Sequence, residues 1–216
     1  MINNVNFIGL EQETKGIVYL KVYYPIDVLP AEDIVFLSFF GSLYTAFGFS
    51  NENWIDSSIR AGKVSNIFMS SIRDFSLSMD TLKKLGIDSL SDKEIKDYLY
   101  KYDKILGRHT LCYKMAFLEE NLQEAIKVMF DCINTSDFTD IERLKILYDE
   151  YKIEFLESLV QNARQYVSKR ATCKNSRYDA IDEITDGLSQ INLINLLDSM
   201  TSEEIVKKMQ EIHSKF

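Results

Sequence analysis

Residues 14–34 read TKGIVYLKVYYPIDVLPAEDI, and the fold turns on how this stretch is taken. Alternation along an extended strand sends Val18, Leu20, Val22 and Tyr24 to one face and Ile17, Tyr19, Lys21 and Tyr23 to the other. A strand in a two-layer domain ordinarily shows water one polar face. Here the second face is apolar and aromatic apart from Lys21, so the strand needs cover on both sides. It carries no catalytic side chain. Pro25 and Pro30 bracket its exit, and Pro30 suits the first position of a helix, with Glu32 and Asp33 complementing the helix dipole.

Working outward, IVFLSFFGSLYTAFG (34–48) is apolar nearly all round, which predicts a deeply buried helix closed by Gly48. Ser50 or Asn51 can cap a second helix through Trp54, Ile55 and Ile59 that ends at Gly62. Short strands are expected over 5–10 and over 64–72, and a helical insert over 80–106 with a Ser91/Glu94 capping box. RHTLCYKMAF (108–117) alternates as a strand, with His109, Leu111, Tyr113, Met115 and Phe117 on one face and Thr110, Cys112, Lys114 and Ala116 on the other. Leu118, Leu122, Ile126, Met129 and Ile133 then keep helical spacing. Thr139 and Glu142 have capping-box spacing and open a long periodic segment: one helix of about thirty residues, or two with a bend. Thr201 and Glu204 cap a last helix packed by Ile205, Met209 and Ile212. Strands and helices do not alternate strictly. The class is therefore α+β, a mostly antiparallel sheet with helices on one face, in one domain over 1–216.

Composition excludes several function classes. The net charge of −8 is wrong for a phosphate-binding surface, and TLKKLG and IVKKMQ are short enough to be solvated helix faces. No apolar run approaches the ~20 residues of a membrane span, and MINNVNF lacks the basic and apolar regions of a leader peptide. Cys112, Cys132 and Cys173 are unpaired in spacing and read as buried thiols. Only His109 and His213 are present, far apart, so no zinc-binding His pair occurs, and His109 reads as a packed or surface residue. The acidic pairs Glu119–Glu120 and Glu203–Glu204 sit at helix starts, where the dipole accounts for them, and Asp182–Glu183 are sequence neighbours rather than a cleft dyad. No catalytic or metal-ligating set emerges.

The order of segments nevertheless resembles a known family. Gly16, Ile17, Val18, Tyr19, Leu29, Pro30, Glu32, Leu37, Leu43 and Gly48 match the opening of the third, non-catalytic domain, in the C-terminal half, of presequence-protease-like zinc metallopeptidases. These are the falcilysin-like branch of the pitrilysin/insulinase type. Lys114, Leu118, Asn121, Phe138, Asp140 and Arg143 match a Lys-x-x-x-Leu-x-x-Asn segment and a later Phe-x-Asp-x-x-Arg; Arg170, Ala171, Gly187 and Leu188 match an Arg-Ala pair and a Gly-Leu. The family's Asn before the first Gly is Lys15 here, and its Gly-Gly before the third strand is Ala61–Gly62.

The resemblance implies a piece of a larger four-domain peptidase whose zinc lies in a different, catalytic domain. This chain would wall a chamber that admits unfolded peptides, with Tyr19, Lys21 and Tyr23 facing the chamber or the peptide. Its partners would be the other domains and peptide substrates, not nucleic acid or membrane, in the cytoplasm of a bacterium or in an organelle matrix. An acidic chain would favour basic peptides. The alternatives are a stand-alone scaffold of the same fold, or an enzyme with a site of its own.

Overall fold

Alternation is obeyed: β1 (Ile17–Pro25) is extended throughout, with its two faces differing in exposure residue by residue. The computed structural model describes residues 13–74, 109–175 and 177–216, together with Gly9 and Glu11. The insert expected over 80–106, its Ser91/Glu94 box and, but for Gly9, the strand expected over 5–10 lie outside those residues. Lys15 (φ 52°) and Gly16 (φ 81°) form the left-handed turn that aims β1.

After a single turn of 3-10 helix over Ile26–Val28, the buried apolar segment forms two helices rather than one, α1 (Ala31–Ile34) and α2 (Leu37–Leu43). Between them the backbone tightens, with the Phe36 N–H donating to the Asp33 carbonyl. Pro30 sits one position earlier than expected, as the N-cap. Gly48 is not a helix cap but half of the two-residue strand β2 (Gly48–Phe49). A Cβ there would overlap the Glu52 carbonyl oxygen, so only glycine fits. Ser50 and Asn51 take left-handed backbone, and the cap of α3 (Trp54–Val64) is Asn53, whose side chain accepts from the N–H groups of Ile55 and Asp56. The helix passes Gly62, which moves β3 to Ile67–Asp74.

β4 (His109–Leu118) is the centre of a three-stranded antiparallel sheet in the order β1-β4-β3. A 3-10 turn over Glu119–Asn121 leads into α4 (Leu122–Thr135), and β5 (Ser136–Asp137) pairs with β2. The long periodic segment is two helices, α5 (Ile141–Gln161) and α6 (Ala163–Thr172), broken at Asn162. The cap of α5 is Asp140, which accepts from the Arg143 N–H; Thr139 instead bonds the Asp137 carboxylate. Next come α7 (Arg177–Asp186), α8 (Gln190–Ser199) and α9 (Ser202–His213), the last with the full Thr201/Glu204 capping box.

The helices lie over one face of the sheet. Val18, Leu20, Val22 and Tyr24 pack against a core that contains Leu111, Tyr113, Met115 and Phe117 from β4 and Leu37, Phe39, Phe40, Tyr44 and Phe47 from the 34–48 segment. Each such large side chain stabilises the fold by roughly 1.5–3 kcal/mol through burial. In α4 the buried row is Ala125, Val128, Met129, Cys132 and Ile133, while Leu122 and Ile126 stay exposed. The chain is thus α+β, as the segment order required.

Three sequence motifs acquire physical causes here. Phe138 is buried against Tyr44 and Phe47, Asp140 caps α5, and the Arg143 guanidinium stacks 4.0 Å from the Trp54 ring while its Nε donates to the Ala46 carbonyl. Arg170 of α6 donates at 2.8 Å to Glu183 of α7, a carboxylate almost wholly buried. Gly187 passes so close to Glu183 that a Cβ would overlap its Oε2. Lys208 is not a solvated lysine: with Lys215 it holds the buried Asp33 of α1, at 2.6 and 3.0 Å. Cys112 and Cys132 are buried, whereas Cys173 is half-exposed.

Candidate functional site

The pairing register assembles the other sheet face in rows across β1, β4 and β3. Tyr19 lies beside Ala116 and Ile67, Lys21 beside Lys114 and Met69, and Tyr23 beside Cys112 and Ser71. Ile17 beside Leu118 closes one end; Pro25, Thr110 and Arg73 close the other. Side chains with this parity share one face. Tyr19 is 55% exposed, Tyr23 37%, Met69 40% and Leu118 48%, with Ile17 and Ile67 in the same range. No described helix packs on this side. Cys112 and Ala116 are buried all the same, because a small side chain in a central strand is shaded by larger neighbours on both flanks.

The structure thus places the three expected residues, Tyr19, Lys21 and Tyr23, in one row on an uncovered face. Sequence reasoning missed their neighbours Ile67, Met69, Arg73, Lys114 and Leu118. The alternation of 108–117 had put Cys112 and Lys114 together, but nothing local announces which strand they meet.

The sign of this face is opposite to that of the chain. Lys21, Lys114 and Arg73 project from it, and the three strands present no carboxylate there. No ion pair joins these cations to a described carboxylate. The Cys112 thiol lies among all three and is hydrogen-bonded with Tyr23; burial pushes its pKa up, and the cations oppose that rise. The expectation of an acidic wall suited to basic peptides is therefore reversed at this face. The net charge counts carboxylates that sit elsewhere.

Two other surfaces bear on function. Ile146, Ile153, Leu156 and Val160 (84% exposed) form an apolar stripe along the outer side of α5. Hollows of about 180 and 230 Å³ lie beside α3 and beside His213, each below the ~300 Å³ that ordinary small-ligand sites begin from. In the second, the His213 ring packs on Tyr44 and Phe138, with Nε2 3.3 Å from the Tyr113 hydroxyl. Burial lowers its pKa, so it stays neutral at pH 7. His109 is buried against the Tyr178 ring, a packed histidine as expected. Among the described residues no three His, Cys, Asp or Glu side chains gather in a way that could hold a metal ion, and no helix is long and apolar enough to cross a membrane.

Comparison with known proteins bears on what such a domain belongs to. Residues 98–197 match the family model of a peptidase-associated domain, the one associated with subfamily C of metallopeptidase family 16. Over 99 residues, 44% of this chain and 10% of the relative, the chain is 24% identical to "Presequence protease, mitochondrial" of Yarrowia lipolytica (strain CLIB 122 / E 150). Over 203 residues, 94% of this chain and 18% of the relative, it is 24% identical to "Presequence protease, mitochondrial" of Danio rerio. The chain spans less than a fifth of the length of these curated relatives. The resemblance to a non-catalytic, peptidase-associated domain of this subfamily is borne out by both kinds of match.

Proposed function

We propose that this chain is a wall domain of a zinc-dependent endopeptidase, which contacts unfolded peptide substrates through the open face of its sheet while other domains of the same protein carry out hydrolysis. The observation that carries this reading is the asymmetry of the two layers. One sheet face is sealed under helices, and the other offers Tyr19, Tyr23, Ile67 and Met69 uncovered. Tyrosines and methionine suit contact with varied peptides, since they offer area and hydrogen bonds without fixing a sequence. The zinc would be held by residues of the catalytic domain, and no step of the chemistry falls to this chain. Its contribution is binding, orientation and exclusion of folded proteins by size.

The apolar stripe on the outer side of α5 supports a second contact of a different kind. A row with Val160 almost fully exposed suits packing against another part of a longer protein, and the relatives are more than five times longer than their matched region. The names of both relatives place them in mitochondria; an organelle matrix is the compartment proposed here.

Photo-crosslinking tests the assignment of faces. With p-benzoylphenylalanine in place of Tyr19, the chain crosslinks to unstructured peptides; with the same group in place of Ile153 on α5, it does not. Equal crosslinking at both positions, or crosslinking at 153 alone, removes the sheet face from the reading.

A further inference from the structure

The direct opposition of Lys21 and Lys114 has no explanation in folding. Residues opposite each other in an antiparallel pair have side chains within about 5 Å, and like charges there are destabilising. Arg73 lies on the same face and adds to the repulsion. On the helical side, by contrast, lysines are neutralised: Lys208 and Lys215 by Asp33, Lys169 by Asp182 and Asp186, Lys152 by Asp198. The sheet cations alone are left without a described carboxylate, and they stand between exposed tyrosines. Placement of all three around the Cys112 thiol shows that they converge on one spot of the face rather than splaying apart.

We propose that the open sheet face is a receptor for acidic peptide segments, with Lys21, Lys114 and Arg73 taking carboxylates of an extended chain and Tyr19 and Tyr23 flanking them. This rests on the wall-domain reading and adds the class of peptide. Complementary charge selects the partner and speeds its arrival, while the tyrosines and Met69 supply area that does not depend on sequence. An eight-residue strand such as β3 is roughly 25 Å long, so a peptide of similar length can lie along the sheet and reach all three cations. A basic segment meets three like charges in the same place and is disfavoured.

The test uses the whole chain and three unstructured peptides of equal length and equal apolar content, carrying Glu, Gln or Lys at matched positions and a neutral dye. Fluorescence anisotropy at low salt is expected to show the Glu peptide binding about tenfold tighter than the Gln peptide, since each solvated ion pair contributes a few-fold. The Lys peptide binds weakest, and added salt compresses the differences. In the Lys21→Glu/Lys114→Glu variant the order reverses. Lys21→Glu alone is expected to raise the urea midpoint, because it turns a like-charge pair into an opposite one, so lost binding there is not lost folding. If all three peptides bind equally and independently of salt, the acidic-peptide proposal is overturned while the wall reading stands. If no peptide binds, or only an intact acidic globular protein does, both fail. An acidic preference unchanged in the double variant places the site elsewhere and overturns the proposal.

Discussion

Gly187→Ala is the sharpest structural test, because one methyl meets one buried carboxylate. The added Cβ would overlap Glu183 Oε2 and would fall 2.7 Å from its Cδ and 2.5 Å from its main-chain oxygen. Both the side chain and the helix end must therefore give way. Glu183 is 1% exposed and accepts from Arg170 at 2.8 Å and from Ser189 at 3.1 Å. Moving it breaks hydrogen bonds to a charged group, each worth about 1.5–3 kcal/mol when buried. Arg170 itself is more than half exposed, which discounts its share toward the surface range. The expected cost is then about 2–4 kcal/mol, a fall in Tm of about 5–15 °C for a chain of this size. Urea unfolding followed by circular dichroism measures it.

A double-mutant cycle separates the collision from any general intolerance of α7's end. On a Glu183→Ala background the clashing carboxylate is gone, so Gly187→Ala should add little beyond its contact with the main-chain oxygen. The interaction energy is expected to exceed about 1 kcal/mol. Simple additivity of the two changes would refute the argument that Gly187 is small on account of Glu183.

Asp33→Asn removes the anion that Lys208 and Lys215 share. Burial pushes the Asp33 carboxyl up, but its hydrogen bonds and charge pairing with the two lysines outweigh this and hold it below the usual range. A depressed folded-state pKa gives stability that is present above the unfolded value of about 4 and is lost as pH falls through the folded value. Wild type should lose stability below about pH 4, and Asp33→Asn should flatten that limb of a urea-midpoint-against-pH curve. Arg143→Gln unstacks the guanidinium from Trp54, the single tryptophan of the chain, at an expected cost of about 1–2 kcal/mol and with a red shift of its emission; unchanged fluorescence would show that the stack is absent in solution. Lys15→Asn places a residue tolerant of φ 52° in the turn before β1 and should stabilise by about 0.5 kcal/mol, read from the urea midpoint.

What was legible in the sequence was local. The alternation of 17–25 and the Thr201/Glu204 box each depend on contacts within a few residues, and both stand as read. The cap of α5 was misread by one residue because Thr139 and Asp140 are both capping types, and a third residue, Asp137, takes the threonine. The face of α4 was misread because steps of four drift about 40° each around a helix. The row through Leu122 and Ile126 leaves the core, while the small residues Ala125 and Cys132 fill it without registering as an apolar stripe. Glu183 was read as one half of an acidic pair in sequence. Its burial depends on Arg170 and Gly187 meeting it from either side, which only the fold brings about.

The candidate face was half legible for the same reason. Its β1 residues follow from period two alone, but Lys114, Met69 and Arg73 join them through a register that no single strand encodes. Net charge misled because it is a sum over both layers. The helical layer between the two surfaces is about 10 Å thick, and at physiological salt the screening length is about 8 Å. A peptide lying on the sheet therefore responds to Lys21, Lys114 and Arg73 and hardly to the carboxylates of the outer helices. It follows that reversing charges on the exposed side of α5, such as Glu154→Lys, should leave the peptide order unchanged at physiological salt, whereas Lys21→Glu should not. If both changes moved the order by similar amounts, the field would be that of the whole chain, and the −8 would be the right predictor after all.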